Sequence, residues 1–230
     1  MEYFVINDTV YSRGDLGLWI IERPAMPTAE RIVQNIEVDG REGTLTIFKG
    51  WKDSDLTMKV ALFGADIQSR YRSLQPQIRD AQTLYRSDDS GVYYKIKSVE
   101  IGPLYIKLSP LGEFSINFTC APFKYQRNVA TVTRSTSGSL VNPGTVHSRP
   151  KITVFGTGTR TLTINNRLII LNLLSPHLIL DSELMVCYFG NTAQNHLMTG
   201  DFPVFEVGAN SITLGTGITQ IEIEPRWRYL

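Results

Sequence analysis

The sequence predicts a mainly β protein. A sheet- or barrel-like N-terminal domain with one helix and an extended hairpin is expected over residues 1–125, and a β-sandwich over 126–230. Three observations carry this. Short runs alternate apolar and polar residues, as in Leu56, Met58, Val60 and Leu62, which puts one set on one face of a strand. Turn residues separate such runs at short spacing, most clearly between Asn142 and Asn166. Only the segment that begins at Asp66 carries apolar residues at helical spacing.

In order along the chain, Glu2–Ile6 and Thr9–Tyr11 read as short strands around the turn dipeptide Asn7-Asp8. A loop through Gly14-Asp15 runs into a strand that stops at Pro24, and Pro24 and Pro27 bracket an extended segment. In Ile36–Phe48, Asp39-Gly40 turns the chain and Arg41-Glu42-Gly43 continues the polar loop. Leu45 and Ile47 then alternate with Thr44, Thr46 and Phe48, and Lys49-Gly50-Trp51 ends the piece. Asp55–Phe63 is a further strand. Asp66 is expected as the N-cap of a helix whose stripe is Ile67, Tyr71, Leu74, Ile78 and Ala81, the pattern of a helix packed on a sheet. Pro76 is expected to kink or interrupt it.

Thr83–Arg86 and Val92–Ile101 are strands on either side of a Ser87–Gly91 turn. Leu104–Leu108 and Glu113–Ala121 form a hairpin around Ser109-Pro110-Leu111-Gly112. Gln126–Thr145, rich in Thr, Ser and Gly, is read as the domain crossing plus the first hairpin of the second domain. Lys151–Phe155 and Arg160–Ile164 read as a hairpin turned by Gly156–Thr159. Asn165-Asn166 then makes a tight connection to Arg167–Leu171, because Asn tolerates the positive φ it needs. Leu178–Asp181, Leu184–Phe189, Phe202–Val207, Ser211–Leu214 and Ile218–Glu224 complete the strands, with a Gly208-Ala209-Asn210 turn. Short strands at this spacing suggest a sandwich.

Composition narrows the function classes. The chain has 230 residues, 42% hydrophobic and 20% charged, with a net charge of +1, so nothing pulls strongly on nucleic acid or an anionic membrane. Cys120 and Cys187 sit among apolar neighbours and read as buried free thiols rather than a disulfide framework. The start of the chain has no basic region before an apolar core, and the aliphatic run Leu168–Leu171 is far too short to span a bilayer. A protein outside the membrane, made in a reducing cytosol, is expected.

No catalytic constellation persuades. His147, His177 and His196 lack ligand spacing, and neither His147-Ser148 nor Asp181-Ser182 belongs to a nucleophile elbow. Glu222 and Glu224, with Asp201 or Glu206, are a formal glycosidase pair, but they alternate with Ile221 and Ile223 and read as the solvated face of a half-buried strand. Gly156-x-Gly158 and Gly215-x-Gly217 open no helix, so they are not phosphate loops. Asp88-Asp89, Asp53 and Asp55 read as turn and strand-start residues rather than cation ligands. Neither a cofactor nor a metal is expected, and the chain is not expected to be an enzyme. Trp19, Trp51 and Trp227, with ten Tyr and ten Phe, supply material for cores and interfaces. The C-terminal Pro225-Arg226-Trp227-Arg228 is expected to be packed.

Several motifs together resemble the distal tail proteins of long-tailed bacteriophages. They are Arg13-Gly14-Asp15-Leu16-Gly17-Leu18, Gly40-Arg41-Glu42-Gly43-Thr44-Leu45, Tyr71-Arg72, Ser87-Asp88-Asp89, Tyr94–Lys97, Gly112–Phe123, Asn142–Asn166, and Gly200-Asp201-Phe202-Pro203 with Pro225–Arg228. Their order covers nearly the whole chain. The resemblance implies a virion structural protein, assembled in the bacterial host and placed at the tail tip. It implies a first domain that closes a ring, typically a hexamer, between the major tail tube protein and the tail-tip hub or tail-associated lysin protein. It implies a second, galectin-like sandwich that carries a receptor-binding protein, and a central hole through which DNA only passes. The rival expectation is a carbohydrate-binding module for host cell-wall polysaccharide.

The Gly40–Gly43 hairpin has few evident core partners in the sequence, and such an edge invites a neighbouring chain. Ile36, Gly40, Arg41, Glu42, Gly43, Leu45, Ile47 and Trp51 are therefore the expected inter-subunit contact residues, in a belt spanning Ile36–Trp51.

Overall fold

The computed structural model describes residues 3–14, 16–108, 110–173 and 176–230, with the side chains of residues 107 and 108 left aside. Glu2, Asp15 and Ser109, to which strand and turn roles were assigned, lie outside the described residues. The chain divides into two compact units, residues 1–127 with residue 230, and residues 128–229.

The first unit contains β1 (Phe4–Ile6), β2 (Thr9–Tyr11), β3 (Leu18–Glu22), β4 (Arg31–Glu37), β5 (Thr44–Trp51), β6 (Ser54–Phe63), helix α1 (Ile67–Arg79), β7 (Thr83–Arg86), β8 (Val92–Ile101), β9 (Tyr105–Leu108) and β10 (Leu111–Gln126). Its main sheet runs β2-β1-β7-β8-β10-β6-β3, with β9 added to β10. The Ser12 carbonyl, just past β2, accepts from the N–H groups of Leu16 and Leu18, which draws β3 toward β2 and leaves the sheet barrel-like. The alternation read in β6 holds: Leu56, Met58, Val60 and Leu62 are all buried, facing Ile116, Phe118, Leu84 and Ile78 in one core. Strand β10 continues five residues past the expected end at Ala121, to Gln126, and absorbs Pro122 where its register with β8 shifts between Cys120 and Lys124.

Helix α1 begins where expected, with Asp66 in the N-cap position, but the cap bond and an interruption at Pro76 are not found. Asp66 adopts a left-handed conformation, φ 54°, and its side chain makes no cap hydrogen bond. Pro76 lies inside an unbroken helix. A proline costs about 3 kcal/mol in a helix interior, but this one is in the last turns, between the buried Leu74 and Ile78 that anchor the helix to the sheet. Its carbonyl still accepts from Asp80 N at 3.1 Å. Arg70 fixes the other end by donating to the carbonyls of Phe63, at 2.7 Å, and Leu16.

The second unit contains β11 (Val132–Arg134), β12 (Gly138–Asn142), β13 (Lys151–Gly156), β14 (Gly158–Ile164), β15 (Arg167–Leu173), β16 (His177–Asp181), β17 (Val186–Phe189), β18 (Thr192–Ala193), β19 (Met198–Thr199), β20 (Gly208–Leu214) and β21 (Ile218–Glu224). One sheet runs β11-β21-β13-β16-β17-β18 and the other β12-β20-β14-β15-β19. Their inner faces share a core of Ile152, Val154, Leu162, Ile164, Leu171, Leu180, Phe205 and Ile221.

Two expected hairpins are absent from this unit. β13 and β14 do not pair: β13 lies between β21 and β16, and β14 between β15 and β20. Gly156–Gly158 therefore carries the chain from one sheet to the other, so that Ile152 and Val154 meet Leu162 and Ile164 across the core rather than across a ladder. β11 and β12 likewise go to different sheets. The expected strand at Phe202–Val207 is reduced to a single bridge, Ser148 to Phe205, because Pro203 lacks a donor. The expected turn at Gly208–Asn210 is instead the start of β20. The Asn165-Asn166 turn between β14 and β15 is as read, with φ 49° and 63°.

Candidate assembly interface

The hairpin β4–β5 is the element with least support from its own chain. Among the described residues its strands pair only with each other, and none of residues 31–51 is buried. The ladder runs Glu37 to Thr44, Ile36 to Leu45, Asn35 to Thr46, Gln34 to Ile47 and Val33 to Phe48, then slips by one residue at Lys49. Gly40 and Gly43 both have φ 76° in the tip, a conformation that glycine adopts without strain. Arg41 and Glu42 lie between them, exposed.

The register sorts the expected contact residues. Ile36, Leu45 and Ile47 share one face, together with Ile32 and Gln34. That face is a largely aliphatic strip: Leu45 is 42% exposed, and Ile36 and Ile47 are half-buried. Trp51 is on the opposite face, at the root, where its ring meets Phe48 at 5.7 Å and Phe123 at 5.8 Å, both edge to face. The Arg31 guanidinium lies 5.5 Å from the Trp51 ring and 6.0 Å from Phe48. Lys52 N donates to the Glu30 carbonyl at 2.9 Å and closes the root. The hairpin begins at Arg31, ahead of the expected belt at Ile36, and takes in Ile32 and Val33. The adjacent β-branched pair Ile32-Val33 was the available strand signal.

The chemistry-bearing residues singled out from sequence are scattered. Glu222 accepts from Gln220 Nε2 at 2.9 Å and Glu224 pairs with Lys151 at 2.6 Å, both on the outer face of β21. The His147 carbonyl accepts from Arg228 at 2.9 Å; burial, then the nearby Arg228 charge, lowers its imidazole below the usual value. Cys120 and Cys187 are buried and free, and burial pushes their thiols up to about 12 and about 11. Among the described residues, no group of three or more His, Cys, Asp or Glu side chains stands placed to hold a metal ion. No described helix is long and apolar enough to cross a membrane. At the C-terminal end Trp227 is buried against Phe205, and Arg226 grips Asp181.

No protein-family model matches the chain, and no curated protein does. Solved structures do. The crystal structure of SPP1 Dit (gp 19.1), described as a paradigm of the hub adsorption apparatus in phages that infect Gram-positive bacteria, superposes with a TM-score of 0.71 at 14% identity. It covers 97% of this chain and 98% of its own. A chain of the phage P2 baseplate in its activated conformation with Ca superposes with a TM-score of 0.50 at 10% identity, over 97% of each chain. At these identities the likeness is one of fold, and it spans both units.

Proposed function

We propose that the chain is the distal tail protein of a long-tailed phage, a structural baseplate hub and not an enzyme. In this reading several copies, six in the usual arrangement, close a ring. The ring joins the tail tube protein on one side to the tail-tip hub protein on the other, the second unit carries a receptor-binding protein, and DNA crosses the central hole. The observation that carries the proposal is the agreement of fold with the SPP1 Dit hub protein over 97% of the chain.

The hairpin supports it independently. A two-stranded hairpin alone in water is marginal at best. This one forms a two-stranded sheet of its own, with a partly exposed aliphatic strip and, among the described residues, no strand paired to either outer edge. Laid on an adjacent copy, it buries that strip and pairs an edge, and the same contact repeated around an axis closes a ring.

Light scattering on the purified chain, with negative-stain images beside it, tests the reading. A particle of about six chain masses with a central hole is expected. A monomer that stays monomeric when mixed with the tube and hub proteins overturns it; a monomer alone does not, because partner binding can drive closure.

A further inference from the structure

The second unit contains a pocket of about 320 Å³, outside the assembly hairpin, lined by Arg149, Arg167, Ser182, Met185, Asp201 and Phe202 among others. Four segments distant in sequence converge on it. Arg149 precedes β13, and Arg167 opens β15. Ser182 begins the turn from β16 to β17 and is tied to the first segment by its N–H, which donates to the Pro150 carbonyl at 3.0 Å. Asp201 and Phe202 follow β19. They reach the pocket because Gly200 passes close over β15, where a Cβ would lie 2.6 Å from the Leu168 carbonyl.

The polar atoms here are unspent. The Ser182 hydroxyl is buried, the residue 1% exposed, and it has no hydrogen-bond partner among the described residues. A buried hydroxyl without a partner is costly, so one on a pocket wall marks a place for a ligand atom. Arg149 and Arg167 have no ion-pair partner among the described residues. Two guanidinium groups against the single Asp201 leave one positive charge over, which suits a carboxylate held through paired N–H donors. Asp201 adds an acceptor suited to a neighbouring amide N–H.

Met185, Val204 and Phe202 supply the apolar part of the lining. Met185 is 54% exposed, and its neighbour Leu184 is 67% exposed on the same turn. The Asp181 carboxylate accepts from Glu183 N at 3.0 Å and Leu184 N at 3.1 Å, and is itself held by both Arg226 nitrogens at 2.7 and 2.8 Å. Met185 is forced to φ 56°, which a side-chain-bearing residue rarely adopts. Strain that presents a large apolar side chain to solvent beside a charged pocket has the form of a contact site.

We infer that this pocket receives an acidic side chain from a peptide segment of a partner protein, the carboxylate between Arg149, Arg167 and the Ser182 hydroxyl, and an adjoining apolar residue against Met185 and Phe202. The exposed, unbranched Met185 beside the basic groups favours a peptide over a sugar, and Phe202, the aromatic in the lining, is half-buried rather than laid open as a stacking platform. The inference does not depend on ring formation.

Saturation-transfer NMR on the full chain at low salt tests it, with three probes: blocked Leu-Glu-Leu tripeptide, its Leu-Gln-Leu counterpart, and glucuronate. Saturable binding of the Glu peptide is expected, at least tenfold weaker for the Gln peptide and for R149Q/R167Q. Ser182→Ala should weaken binding several-fold without lowering the melting temperature, since its hydroxyl holds nothing in the free protein. A fall in melting temperature with unchanged binding would make Ser182 merely structural and overturn its role. Equal binding of the two peptides, binding that survives R149Q/R167Q in a folded variant, or glucuronate binding with both peptides silent overturns the inference; the last assigns the pocket to an acidic sugar.

Discussion

Trp51 and Phe123 meet edge to face, ring centroids 5.8 Å apart, and this contact roots the exposed hairpin in the first unit. Phe123 is buried and Trp51 half-buried, so the pair is a hinge pin rather than part of the deep core. Trp51→Ala should cost about 1–2 kcal/mol, less than a fully buried Trp, because part of the ring is already in water. Urea unfolding measures that loss. Limited proteolysis should show cleavage moving into residues 31–51 while the remainder of the unit stays resistant. Unchanged cleavage would mean the hairpin is held by something other than its root.

The strip formed by Ile36, Leu45 and Ile47 leads to the opposite pattern. Leu45 is 42% exposed and faces Ile36 across the ladder. Leu45→Asp should therefore change the stability of the isolated chain by no more than about 0.5 kcal/mol. In an assembled ring the same charge would be buried without a partner, and assembly should fail. Thermal melting and light scattering on the same sample separate the two effects. A ring that survives the substitution removes this face from the interface.

Asn165 and Asn166 give a third expectation. Both have positive φ in the two-residue turn, and Asn165 also donates to Asn210 Oδ1 at 2.6 Å and accepts from Ser211 N at 3.0 Å. Asn165→Ala loses these bonds and places an alanine in a left-handed conformation, which should cost about 2 kcal/mol. Asn166→Gly removes strain at a position of the same sign and should be neutral or stabilising by up to about 1 kcal/mol. The urea midpoint of Asn165→Ala should fall below the parent's, and that of Asn166→Gly should lie at or above it.

That turn was legible because its cause is local: two Asn between alternating strands leave one geometry. The same holds for the buried face of β6 and for Ile152, Val154, Leu162 and Ile164. The pairing of β13 was not legible, because alternation says which side chains face the core and not which sheet they belong to. Val154 and Leu162 are buried whether their strands form a ladder or face each other across the sandwich. Asp66 has the composition of a cap, but capping depends on backbone conformation, and here the residue is left-handed. The hairpin tip was visible through Asp39-Gly40 and Gly43, whereas its root needed Phe123, which is far away in sequence. The pocket around Ser182 was invisible for the same reason, since Arg149, Arg167 and Asp201 are neighbours only after folding.

Asp181 and Arg226 set an acid limit on the second unit. Asp181 is 3% exposed at its side chain and Arg226 23%, and they share two short hydrogen bonds. Burial works to raise the Asp181 carboxyl, but the Arg226 hydrogen bond and the N–H groups of Leu184 and Glu183 outweigh it, so the group lies below its ordinary value of 3.8. A carboxyl whose folded value is lowered contributes stability that is complete above its unfolded value and fades as pH falls through the folded one. Asp181→Asn leaves Arg226 without its bidentate partner and should cost about 3 kcal/mol at pH 7. The gap between variant and parent should begin to narrow below about pH 4, where the unfolded carboxyl takes up its proton, and go on narrowing until pH passes below the lowered folded value, where the two side chains become alike. Urea unfolding at pH 7 and pH 3 measures both. A gap that stays constant over that range would show that the turn depends on the shape of the Asp181 side chain and not on its charge.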